Sequence, residues 1–168
     1  MANFISREEA QRITERALSF SKADQARANL SSSDTGNTRF AQNQMSTSGD
    51  ATNATLSITS ALGTKVASAT TNIFTDDALR RVVETSEQLA RLVPENEEYM
   101  GELGPQSYPE TKPYFESTGD LAPERRALAI AAVTEQAASR NLISTGFLIH
   151  EAASEAVATT KGLFANGT

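Results

Sequence analysis

Between Asp24 and Asn72 the chain loses every trace of helical period, and on both sides of that stretch it has one. Inside it Thr, Ser, Val and Ile become frequent, and Gly36, Gly49 and Gly63 mark the breaks. Thr55-Leu56-Ser57-Ile58-Thr59-Ser60 alternates polar and apolar residues, the period of a strand with one buried face. Ala61-Leu62-Gly63-Thr64 reads as a tight hairpin connection into residues 65–71. Asp34-Thr35-Gly36-Asn37 reads as a second turn, joining residues 26–33 to 38–45. A meander of about four antiparallel strands is the expectation.

The flanks are helical. Ser6 can cap a first helix, Glu9 completes a capping box, and Ile5 with Ala10 makes a hydrophobic staple. Ala10, Ile13, Ala17 and Phe20 then recur on one face. Thr75 opens a second helix with Asp76 and Asp77 in its first turn, where negative charge complements the helix dipole. Its inward stripe is Leu79, Val82, Val83, Ser86, Leu89, Ala90 and Val93, and Pro94 ends it. Pro123 suits the first position of a third helix, in which Ala127, Leu128, Ile130, Ala131, Val133, Thr134 and Ala138 would pack inward.

Residues 94–120 hold four of the five prolines, with Tyr99, Tyr108, Tyr114 and Phe115 among them. That composition predicts an ordered surface excursion anchored by its aromatics. After Arg140-Asn141 the strand pattern returns over 142–153, with a turn near Ser154-Glu155 and a last strand over 156–164. The end at Thr168 carries no terminating signal and reads as the edge of a fragment. The fold class is therefore α+β: an antiparallel sheet of about six strands, a meander plus a C-terminal hairpin, packed with about three helices. A chain of 168 residues makes one domain, 1–168.

Charge narrows the function. The net charge is −6, and the basic residues are interleaved with acids: Arg80-Arg81 after Asp76-Asp77, Arg125-Arg126 after Glu124. These read as solvated helix faces rather than the basic stripe that a nucleic-acid ligand needs. With no cysteine there is neither a disulfide framework nor a thiolate zinc site, which suits a reducing cytoplasm. No apolar run reaches the length of a membrane helix, so neither nucleic acid nor membrane is expected as a partner.

No catalytic set is complete. His150 is the one histidine, and no G-x-S-x-G elbow accompanies it. Neither G-x-G-x-x-G nor a phosphate loop occurs. Asp76-Asp77 and Glu97-Glu98 are adjacent pairs that suit a helix start and a surface better than an acid/base couple. In Thr38-Arg39-Phe40-Ala41-Gln42-Asn43, strand alternation sends Phe40 to the core and Arg39 and Asn43 to the other face. Arg39 and Asn43 are thus the candidates for facing a substrate or a partner, with an ordinary surface ion pair as the competing reading.

Several of these segments, in order and spacing, resemble the amino-terminal domain of the TldD/PmbA family, also known as modulators of DNA gyrase. They are Ser6-Arg7-Glu8-Glu9-Ala10, the Arg39-Phe40-Ala41 strand with Asn43, and the strand from Gly63 to Asn72. Thr75-Asp76-Asp77-Ala78-Leu79, Ser144-Thr145-Gly146-Phe147-Leu148 and Ala158-Thr159-Thr160-Lys161-Gly162-Leu163 complete the set. The resemblance covers nearly the whole chain.

The resemblance implies a zinc-dependent peptidase acting on peptides or unstructured polypeptides, often as paired subunits. Its zinc site, on a helix with H-E-x-x-x-H, would lie in a C-terminal peptidase domain that this chain does not contain. The partners expected are that domain, a second TldD/PmbA-type subunit in a homo- or heterodimer, and a polypeptide substrate. This chain would carry no cofactor and no catalytic residue. The alternative metal reading places His150, Glu151 and Glu155 on one helical turn, where Glu155 stands in place of the second histidine. The resemblance instead makes His150 a strand residue beside a hairpin turn. An alternative function is a stand-alone interaction or dimerisation module working through a sheet edge or an apolar patch.

Overall fold

Ser6 caps helix α1 (Arg7–Leu18) as its sequence predicts, its hydroxyl accepting from the Glu9 backbone N–H at 3.2 Å. Strands β1 (Gln25–Ala41), β2 (Gln44–Leu62) and β3 (Lys65–Thr71) follow. Next come helices α2 (Asp76–Leu92), the single turn α3 (Glu116–Gly119) and α4 (Pro123–Ala138), and then strands β4 (Gly146–Thr159) and β5 (Phe164–Gly167). The computed structural model describes residues 4–109, 111 and 113–168. The fold is α+β, with one five-stranded sheet in the order β3-β2-β1-β4-β5.

The strand count is five because two expected turns are not turns. Asp34-Thr35-Gly36-Asn37 lies inside β1, and Ser154-Glu155 lies inside β4. Chain reversal falls instead at Gln42 and Asn43, both at positive φ (51° and 61°), a conformation that Asn tolerates better than most residues. The expected connection at Gly63 is present. It has φ +59°, β2 and β3 pair antiparallel from Leu62↔Lys65 to Leu56↔Thr71, and the Gly63 N–H donates to Asp24 at 2.7 Å.

The chain divides into two compact units, and β1, β2 and β4 each run on from one into the other. One comprises Ile5–Ser32, Ala54–Pro113 and Ser154–Thr168. Its core joins Ala10, Ile13 and Ala17 of α1, Leu79, Val82 and Val83 of α2, and Leu30, Leu56 and Ile58 of the sheet. Complete burial of each Leu, Ile or Val contributes roughly 1.5–3 kcal/mol. Leu89, placed in the inward stripe of α2 by its spacing, is exposed, and Glu87 is buried in its stead. The Glu87 carboxylate earns that position by accepting from the backbone N–H groups of Lys22 (2.6 Å) and Ala23 (3.1 Å), which fixes the exit from α1. Arg16 and Arg80 lie over the Phe20 ring, 4.4 and 4.7 Å from its centroid.

The segment after α2 is held within this unit chiefly by polar contacts. Glu102 is buried, receives the Tyr99 hydroxyl, pairs with Arg27 at 3.5 Å, and donates its backbone N–H to Gln25 at 2.7 Å. The Thr159 hydroxyl donates to the Leu103 carbonyl at 2.8 Å. Among the aromatics, Tyr99 takes part in this anchoring, whereas Tyr108 is exposed.

The other unit comprises Ser33–Asn53 and Tyr114–Ala153 with Phe4. Tyr114 meets Phe4 edge to face at 5.6 Å, while Phe115 is exposed. Here α4 packs through a narrow stripe, Arg126, Ile130 and Thr134, spaced four residues apart. Leu128 and Val133, expected to face inward, are exposed because that stripe turns them away from the sheet.

Candidate functional site

The most concentrated chemistry lies in this second unit, around a side chain that charge patterning misassigns. Arg126 reads as part of a solvated helix face, yet only 1% of its surface is exposed. Its position four residues before Ile130 is the signal that places it on the packing face of α4.

A buried guanidinium must spend its N–H groups on acceptors, and Arg126 does so on four partners. Nη2 donates to Asp50 Oδ1 at 2.6 Å, and Nε donates to the Thr38 hydroxyl at 3.3 Å. Nη1 donates to the Leu121 carbonyl at 3.2 Å and lies 3.5 Å from His150 Nδ1. A guanidinium can only donate, so any hydrogen bond in that contact has His150 Nδ1 as its acceptor. Four separate pieces of backbone thus converge on one cation: β1, β2, β4 and the segment leading into α4.

Gly36 makes the convergence possible. A Cβ on Gly36 would overlap both Arg126 Nη1 and the His150 ring. Glycine is needed there for close approach rather than for an unusual φ. Asp34, Asp50, Asp120, Arg126 and His150 border a pocket of about 250 Å³. A larger opening of about 820 Å³ in the first unit is bordered by Arg7, Tyr108 and Phe164, and Arg7 is the one ionisable side chain of basic or acidic type among its described lining residues.

This geometry bears directly on the metal reading. His150 and Glu151 are consecutive residues of a strand, so their side chains leave opposite faces and cannot share a helical turn. Glu155 accepts from the Ser31 hydroxyl at 2.6 Å. The imidazole Nδ1 faces a guanidinium, whose charge opposes a divalent cation. Among the described residues no three His, Asp or Glu side chains converge as a ligand set. The residues present do not fit zinc.

Arg39 is exposed on β1. Asn43 sits in the β1–β2 turn, and its amide is occupied within the chain. Nδ2 donates to the Leu142 carbonyl at 2.8 Å, and Oδ1 accepts from the Ser144 N–H (2.7 Å) and hydroxyl (2.6 Å). The structure does not bring Arg39 and Asn43 together by any hydrogen bond among the described residues. Beside them, Phe40 is half-buried and packs against Gly146, where an added Cβ would stand 3.0 Å from its ring. On β4, Phe147 and Ile149 are 65% and 55% exposed, a pair of large apolar side chains set two residues apart and therefore on one face. Among the described residues no helix is long and apolar enough to cross a membrane.

Residues 26–90 match the family model described as PmbA/TldA metallopeptidase domain 1. No curated protein sequence matches the chain. Among solved structures, TldE from Thermococcus kodakarensis superposes with a TM-score of 0.83 at 14% identity, over 94% of this chain and 36% of that one. A candidate modulator of DNA gyrase from Bacteroides thetaiotaomicron VPI-5482 gives 0.79 at 17% identity, over 97% and 39%. Another from Thermotoga maritima MSB8 gives 0.72 at 15% identity, over 96% and 37%. At these identities the likeness speaks for the fold. The chain spans little more than a third of the length of each structure it matches.

Proposed function

We propose that this chain is the amino-terminal domain of a TldD/PmbA-type protein, a reading supported by the family match over residues 26–90 and by the shared fold, and that it is a non-catalytic part of a longer zinc-dependent peptidase of the cytoplasm. Its work is to shape substrate access and subunit pairing, while the zinc and the hydrolysis of peptides or unstructured polypeptides belong to a C-terminal domain. Covering a reaction cavity excludes folded substrates and bulk water without any chemistry in the cover itself.

The observation that carries this reading is the state of the one histidine. His150 is committed to Arg126 in a hydrogen-bonded cluster that ties strands to α4, which is the arrangement of a structural clamp. The same unit leaves Phe147 and Ile149 uncovered, which suits a surface that receives another part of a larger assembly.

The test uses the 168-residue chain and the longer protein together. The chain alone should bind no stoichiometric zinc and leave an unstructured polypeptide such as casein intact. In the longer protein, Phe147→Ser with Ile149→Ser should lower cleavage while zinc content stays constant. Stoichiometric zinc on the short chain, lost in His150→Ala, would overturn the proposal.

A further inference from the structure

Asn166-Gly167 is the one place in the chain where a glycine follows an asparagine. Such a pair is chemically labile, because glycine has no Cβ to shield its backbone nitrogen or to restrain the chain around it. The Gly167 nitrogen can attack Asn166 Cγ. The new N–Cγ bond forms as the Cγ–Nδ2 bond breaks, and the side-chain amide leaves as ammonia with the proton that the Gly167 nitrogen gives up. Water then opens the cyclic imide at either carbonyl, leaving aspartate or isoaspartate at position 166.

The structure holds this pair in a conformation ill suited to that ring closure. Asn166 lies in β5 opposite Ala156 of β4, and Gly167 lies opposite Glu155. Closure must rotate Asn166 out of the extended backbone of a strand. The leaving group is also tied down: Nδ2 donates to the Ser154 hydroxyl and to the Glu155 carbonyl, each at 3.0 Å. Ser154 is 2% exposed, so its hydroxyl is a fixed acceptor. The reaction therefore requires β5 to part from β4. As the edge strand of the sheet, paired along a single side, β5 is among the elements that open most readily.

We propose that Asn166 is a spontaneous deamidation site kept shut by the pairing of β5, and that its modification releases the strand for good. Aspartate lacks the amide donor and sets a carboxylate against the Glu155 carbonyl, acceptor against acceptor. Isoaspartate inserts an extra carbon into the main chain and breaks the register with Glu155. The loss reaches beyond the strand. Phe164 of β5 packs against the core of this unit, and the Arg7 guanidinium at the start of α1 lies 5.1 Å from its ring centroid. Opening of β5 is reversible and loss of ammonia is not, so the pair records how often the strand has parted. The site lies outside the peptidase reading and does not depend on it.

Incubation of the 168-residue chain in mildly alkaline buffer, followed by peptide mapping with mass spectrometry, tests the proposal. In urea, deamidation should strike Asn166 ahead of every other asparagine, and Gly167→Ala should slow it. In the folded chain the same reaction should run at least about tenfold more slowly. Ser154→Ala, read with circular dichroism to confirm the fold, should speed the folded reaction about fivefold, as expected for losing one hydrogen bond to the leaving group. In Asn166→Asp, hydrogen exchange should show residues 155–158 and 164–167 losing protection while α2 keeps its own. Equal rates in the folded and unfolded chain overturn the proposal, as does Ser154→Ala without acceleration. An Asn166→Asp chain with β5 still protected, or another asparagine reacting first in urea, overturns it as well.

Discussion

Arg126 and Asp50 form a lopsided ion pair: the guanidinium is 1% exposed, the carboxylate 55%, and 2.6 Å separates Nη2 from Oδ1. Water can solvate the acid if its partner is lost, but nothing outside the cluster can solvate the base. Asp50→Asn should therefore cost about 2–4 kcal/mol, far more than a surface pair, because it leaves a buried cation short of its counter-charge. Urea unfolding of Asp50→Asn, Arg126→Met and the double variant measures this. The double variant should be more stable than the sum of the two single losses predicts, and strict additivity would show that the pair is not coupled.

Gly36→Ala should destabilise by about 1–3 kcal/mol although its backbone is unstrained, because the new methyl claims space held by Arg126 and His150. Thermal unfolding checks the size of the loss. Adding His150→Ala should recover part of it by vacating one of the two overlapping groups. A Gly36→Ala protein as stable as the parent would mean that the cluster yields easily.

The architecture was legible where the side-chain period was regular. Ser6, the α1 stripe and the Gly63 hairpin are local signals, and the structure repeats them. The turns expected at residues 34–37 and at Ser154-Glu155 failed for a shared reason. Asp, Gly, Asn and Ser favour turns when exposed, but Gly36 is inside a strand to admit Arg126, and Ser154 is buried on β4, where its hydroxyl accepts from Asn166 at 3.0 Å. The site was less legible than the fold. Arg126, Asp50 and His150 lie on α4, β2 and β4, so no sequence window contains more than one of them. Only the four-residue spacing from Arg126 to Ile130 and Thr134 hinted that this arginine faces inward.

Asn43 separates a structural role from a functional one. Its φ of 61° and three side-chain hydrogen bonds predict that Asn43→Ala costs about 2–3 kcal/mol, and Asn43→Gly about 1 kcal/mol less, since glycine accepts positive φ freely. Arg39→Ala, an exposed change, should alter stability by under about 0.5 kcal/mol. If Arg39 faces a partner or substrate, its loss lowers cleavage in the longer protein at unchanged stability. An Asn43→Ala protein of parental stability would contradict the pinning of residues 142–144 to the β1–β2 turn.

Tyr99 gives the fold an alkaline pH dependence. Burial raises its hydroxyl from an ordinary value near 10 to about 12, and the Glu102 carboxylate adds to the shift by its charge and by accepting the phenolic proton. The folded state therefore favours the neutral phenol more strongly than the unfolded chain does. That contribution is fully present below pH 10 and is lost as pH rises toward 12. Stability measured by urea unfolding should fall across this window, and Tyr99→Phe, which has no proton to lose, should flatten the fall while giving up one hydrogen bond at neutral pH. Absorbance at the phenolate band offers an independent reading: the native protein should show a late ionisation that Tyr99→Phe removes. If Tyr99→Phe leaves the phenolate titration of the folded protein without any loss of a late step, the Tyr99–Glu102 contact is not made in solution.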